Sequence, residues 1–164
     1  MKKIINYFAA VAMMAFCVFG ISACGSDDNN PTPNRPLQMY GEWLALIQQP
    51  GILLYEIDEF SGSTIKATIY KIEGYNVISG TSLVEANVKK IEKSTGSGTF
   101  TYKNGFLTVT YGEKVNEGLV RYGEDMNVIY WTVNNNDFEM LRPNTATNAF
   151  TGQVENLYEK LNKK

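Results

Sequence analysis

Thr99-Phe100-Thr101-Tyr102-Lys103-Asn104-Gly105-Phe106-Leu107-Thr108-Val109-Thr110-Tyr111 consists of two β-rich arms around an Asn-Gly pair. Both central positions of a type I′ turn need positive φ, which asparagine and glycine tolerate, so the stretch predicts a tight β-hairpin. The rest of the chain repeats this logic of short apolar runs cut by turn residues.

Upstream, the run 41–48 stops before Pro50-Gly51, 52–60 ends at Ser61-Gly62-Ser63, 64–73 ends at Gly74, and 75–78 ends at Ser79-Gly80. In 83–92, Val84, Ala86 and Val88 alternate with Glu85, Asn87 and Lys89, a strand pattern. Downstream, 117–122 and 126–133 pair across Gly123-Glu124-Asp125, and Asn134-Asn135-Asn136-Asp137 turns the chain into 138–142. Pro143 ends the β series. Phe150, Val154, Leu157 and Leu161 then recur on one face of a helix, which Asn148 or Thr151 would cap. The expectation is one all-β domain over 38–164, a small antiparallel barrel or sandwich with a C-terminal helix.

The first strand opens with Gly41-Glu42-Trp43, and a late basic residue, Arg142, closes the last strand. This resembles lipocalins, which begin with Gly-x-Trp and in which a basic residue of the final barrel strand packs across that tryptophan. The resemblance implies a lipocalin-like β-barrel in which Trp43 and Arg142 are structural. The central Thr-Asp-Tyr signature of that family is not evident, since Glu124-Asp125-Met126 lacks the tyrosine.

At the other end of the chain, Lys2 and Lys3 precede an apolar stretch running to Ile21-Ser22-Ala23-Cys24. A charged start, an apolar core and small residues before a cleavage point describe a secretory signal peptide. The last four residues look like the lipobox of bacterial lipoproteins. That resemblance implies a signal peptide over 1–23, cleavage before Cys24, and acyl chains on Cys24 holding the protein to a membrane. Gly25-Ser26-Asp27-Asp28-Asn29-Asn30 is similar to the acidic export signal of lipoproteins displayed on the outer face of the outer membrane. Pro31, Pro33 and Pro36 continue a tether over 24–37, which at roughly 3 Å per residue would reach about 40 Å.

Composition excludes more than it selects. Loss of Lys2 and Lys3 with the leader would leave 13 basic against 17 acidic residues, about −4, with no basic block for nucleic acid. The chain has no histidine, and its two cysteines are Cys17, inside the leader, and Cys24. Histidine-based triads, histidine metal sites and thiol chemistry are therefore absent from the mature domain, and no enzyme activity, cofactor or metal is expected.

Several residues invite a sharper reading. Glu56 and Asp58 alternate on one strand face, but with no sign of an apolar pocket around them they read as a solvated face rather than a glycosidase pair. Glu124-Asp125 and 134–137 offer oxygen ligands at a spacing that matches no calcium loop. Gly96-Ser97-Gly98 lacks the third glycine of a nucleotide loop. Aromatic residues are concentrated from Tyr102 to Trp131. Strand alternation assigns Phe106, Thr108, Met126, Val128 and Tyr130 to a ligand-lining face, and a register slip of one residue would reverse them. The expected function is binding of a small apolar or amphipathic ligand inside the barrel. The alternative is a protein- or glycan-interaction module with a packed interior and aromatic residues outside. An open internal cavity of roughly 300 Å³ or more would favour the first.

Overall fold

The computed structural model describes residues 39–124 and 127–163. Eight strands close into an antiparallel barrel: β1 (Gly41–Gln49), β2 (Ile52–Ser61), β3 (Thr64–Gly74), β6 (Val88–Lys103), β7 (Phe106–Tyr111), β8 (Lys114–Tyr122), β9 (Val128–Val133) and β10 (Asn136–Leu141). The order around the barrel is a meander, interrupted between β3 and β6 by a small hairpin of β4 (Ile78–Ser79) and β5 (Ser82–Leu83). One helix, α1 (Thr145–Asn162), follows. This is the all-β barrel with a C-terminal helix that the sequence predicts.

Local chemistry explains the meander. Lys103 and Phe106 face each other across Asn104-Gly105, whose φ angles are 54° and 78°. Val133 and Asn136 do so across Asn134-Asn135, at 50° and 63°. Two consecutive positive φ angles are the I′ geometry that suits the twist of paired strands. Closure comes last: β1 meets β10 with Leu44 opposite Leu141.

The barrel wall separates two cores. Inside, Trp43, Phe60, Ile65, Phe100, Leu107, Val109, Ile129 and Met140 pack together with Met39. Outside, Leu44, Leu53, Tyr55, Tyr70, Ile72 and Ile91 pack beneath Phe150, Val154 and Leu157 of α1, with Val77 and Leu83 beside them. Strands between two apolar layers read as nearly continuous hydrophobic runs. Trp43-Leu44-Ala45 and Leu53-Leu54-Tyr55 are buried at every position for that reason.

The helix begins earlier than its apolar spacing suggests. The Asn144 side chain accepts from the Thr147 N–H at 3.0 Å, and the Asn144 N–H donates to Thr147 Oγ1 at 2.8 Å, a reciprocal cap. Asn148 and Thr151 therefore lie within the helix. The Thr151 hydroxyl instead bonds the Tyr55 hydroxyl at 2.6 Å, tying α1 to the barrel. The expected strand over 83–92 divides into β5, a 3₁₀ turn over Glu85–Asn87, and the start of the long β6. Residues 75–77 form a bend that leads into β4 at Ile78.

Candidate functional site

The candidate site is a cup inside one end of the barrel. Strand β2 places Leu54, Glu56, Asp58 and Phe60 on its inward side, because Tyr55 and Ile57 on the alternate positions pack in the outer core under α1. The carboxylates read as a solvated face thus point into the barrel. The cause is tertiary: the helix covers the side that the sequence pattern takes for the interior.

Glu56 and Asp58 line a cavity of about 60 Å³ together with Ala45, Ile47, Ile65, Val109, Tyr111, Asn116, Trp131, Val133, Phe138 and Met140. Asp58, at 6% exposure, is buried together with Ala45, Ile65, Val109, Val133 and Met140, which form the cup's inner wall. Ile47, Glu56, Tyr111, Asn116, Trp131 and Phe138 are partly exposed and form its mouth. Gly118 lies beneath the Trp131 indole because the backbone leaves no room for a side chain there: an added Cβ would stand 1.7 Å from the Thr132 carbonyl oxygen.

Asp58 Oδ1, an acceptor, and Trp131 Nε1, a donor, are buried here without a hydrogen-bond partner among the described residues. Glu56 and Asp58 bond to each other, which requires a proton between them. Burial pushes the Glu56 carboxyl up to about 7. It raises Asp58 well above the usual carboxylate range, and the neighbouring Glu56 charge and its hydrogen bond raise it further. Burial also raises Tyr111, with the two carboxylates adding to the effect. Burial and the closeness of the two carboxyls therefore favour a proton held on the pair.

The opposite end is shut. The Arg142 guanidinium carbon lies 4.0 Å from the centre of the Trp43 ring, and its Nη1 donates to the carbonyls of Tyr40 at 2.7 Å and Glu42 at 3.2 Å. Trp43 Nε1 donates to the Met39 carbonyl at 3.0 Å. Gly41 lets the arginine pass, since a Cβ there would come within 2.9 Å of Nη1. Trp43 is thus a plug with its polar atom satisfied, not a ligand floor.

The residues assigned to the ligand-lining face are placed otherwise. Phe106 and Thr108 alternate with the inward Leu107 and Val109, and Val128 and Tyr130 alternate with the inward Ile129. All four face outward, where the Arg121 guanidinium covers the Tyr130 ring at 4.7 Å. Met126 and Cys24 lie outside the described residues. The cup residues Glu56, Asp58, Asn116 and Phe138 were missed, although two acids two apart on a strand rich in apolar residues were the available signal.

Among the described residues no cluster of three or more acidic, histidine or cysteine side chains could hold a metal ion. A second hollow of about 320 Å³ lies outside the barrel, bounded by Leu44, Leu46, Tyr55, Leu141, Ala146 and Phe150. Comparison of the chain with family models, with curated proteins and with solved structures gave no match.

Proposed function

We propose that this chain is a lipoprotein of the outer membrane, anchored through acyl chains on Cys24 and facing the cell exterior, whose lipocalin-like barrel binds a small amphipathic ligand without catalysis. The observation that carries the binding reading is the cup: an apolar wall into which a buried Asp58 presents an oxygen without a partner. Leaving such a group unsatisfied costs about 1–3 kcal/mol, so a ligand with a polar head is favoured over a wholly apolar one. The enclosed volume of about 60 Å³ falls short of the roughly 300 Å³ expected of a barrel that encloses a whole ligand, and is well under the roughly 150 Å³ of a cavity that takes benzene. The cup therefore admits a head group and leaves the body of the ligand at the mouth. A proton-sharing carboxyl pair also serves acid–base chemistry in some enzymes. Here the space beside it is too small for a peptide or sugar substrate, which supports the non-catalytic reading.

The anchor has a direct test. A Cys24→Ala variant is expected to leave the membrane fraction while its domain stays folded, and retention in that fraction would overturn the lipoprotein reading. For the ligand, native mass spectrometry of protein from its own host should show a small bound amphipath that is lost in Asp58→Asn. A spectrum with protein mass alone would count against the cup as a ligand site.

A second reading, a protein- or glycan-interaction surface, is favoured by one feature of the outer wall. Phe106 and Leu119 face each other across β7 and β8 at 40% and 60% exposure, on a side of the barrel that α1 does not cover.

A further inference from the structure

The cup is acidic and holds no basic side chain of its own: its lining contains Glu56 and Asp58 but no lysine or arginine. Asp58 Oδ1 and the Trp131 indole N–H make opposite demands, since the first needs a donor and the second an acceptor. The Trp131 and Phe138 rings, with centroids 6.3 Å apart, stand at the mouth.

We propose that the cup recognises a small amino alcohol, taking its ammonium on the Glu56–Asp58 carboxyls and its oxygen on the Trp131 indole N–H. This rests on the reading of the open end as a ligand site and names the head group that site accepts. An ammonium supplies the donor that Asp58 Oδ1 lacks and neutralises the buried acidic charge. The rings at the mouth favour a cation through their faces. An oxygen held near the nitrogen is the one element a simple alkylamine lacks, and it answers the indole.

Other occupants answer the cup less fully. An anion is opposed by both carboxylates. A divalent metal would find two carboxylates where a hard cation takes about six to eight oxygens. A neutral diol meets both hydrogen-bonding demands but leaves the acidic charge without a counter-ion.

Binding has a proton signature. Glu56, which burial raises to about 7, must be ionised to take the ammonium, so affinity rises with pH through about 7. The titratable groups facing the pair are Tyr111 of β7 and, nearer the rim, Lys71 of β3 and Lys114 of β8. Lys71 is engaged by Glu73 at 2.6 Å and Glu92 at 3.7 Å.

The test uses the full chain in lipid nanodiscs and its two tryptophan indole N–H resonances, read by NMR. Trp43, bonded to Met39, reports on the fold, and Trp131 reports on the cup. The probes match in heavy-atom number: ethanolamine, n-propylamine and ethylene glycol. Ethanolamine is expected to shift the Trp131 signal and to bind about tenfold or more tightly than either of the others. Asp58→Asn and Glu56→Gln should each weaken ethanolamine about tenfold while leaving the Trp43 signal in place. Equal binding of all three probes, or of ethanolamine to wild type and Asp58→Asn, would overturn the amino-alcohol proposal and leave the cup as a ligand site. No Trp131 shift with any probe would mean a cup filled by water, and the binding reading would fall with it.

Discussion

Arg142 lies flat against Trp43, its guanidinium carbon 4.0 Å from the ring centre, and through Nη1 also ties down the carbonyls of Tyr40 and Glu42. One side chain from the end of β10 thereby locks the start of β1, where the strands meet to close the barrel. Arg142→Ala removes a cation–π contact and two hydrogen bonds and is expected to cost about 2 kcal/mol. Arg142→Lys keeps the charge but not the planar stack, and should fall between the two in thermal denaturation.

The buried carboxyl pair makes stability depend on pH in an unusual direction. With Glu56 raised to about 7 from 4.5 and Asp58 raised as well, the folded state binds more protons than the unfolded chain across that interval. The pair's contribution is full below the unfolded value and is lost as pH rises through about 7. The loss is on the order of 3 kcal/mol for a shift of this size. The melting temperature should therefore drop by several degrees between about pH 5.5 and about pH 8. Glu56→Gln should flatten that dependence. A wild-type protein equally stable at both values would contradict the burial of the pair.

Helix α1 is held by a small apolar face, with Leu157 at 4% exposure and Val154 fully covered. Leu157→Ala is expected to cost about 3 kcal/mol through lost burial and the cavity left behind. Because Leu157 lies two residues beyond Glu155, which accepts from Tyr70 at 2.9 Å, hydrogen exchange in the second half of α1 should rise first.

Gly118 is where two strands and the Trp131 indole crowd together. A Cβ would meet the Thr132 carbonyl oxygen at 1.7 Å, which is backbone and cannot swing aside. Gly118→Ala should therefore break the β8–β9 ladder, lower expression of folded protein, and cost more than about 3 kcal/mol in chemical denaturation. Gly152→Ala, in open space on α1, should be neutral or stabilising by up to about 1 kcal/mol and serves as the control.

Much of the architecture is local and was legible for that reason. Asn104-Gly105 and Asn134-Asn135 specify their own turns, Pro50-Gly51 ends β1, and the spacing of Phe150, Val154 and Leu157 marks the apolar face of α1. A meander needs little more, since each strand pairs with its neighbour in sequence. The boundaries that moved were those set by partners. Residues 83–92 divide because Leu83 belongs to the small outer hairpin and Val88 to the wall, and α1 starts at Thr145 because Asn144 and Thr147 cap each other.

The site was decided elsewhere. Strand alternation by itself sorts residues into two faces, and the sequence determined that sorting for Phe106, Thr108, Val128 and Tyr130 as much as for Glu56 and Asp58. Which face looks inward depends on what covers the other. On β2 the helix supplies a second apolar layer, so Tyr55 and Ile57 can leave the interior and the carboxylates enter it. On β7 and β9 both faces carry large side chains, and the inner set was fixed only when the wall curved around Leu107, Val109, Ile129 and Trp131. The amino-acid sequence thus determined strands, turns and helix, because those follow from backbone preferences over a few residues. The tertiary structure alone decided what the barrel encloses, because burial is a property of the closed wall and the helix laid against it.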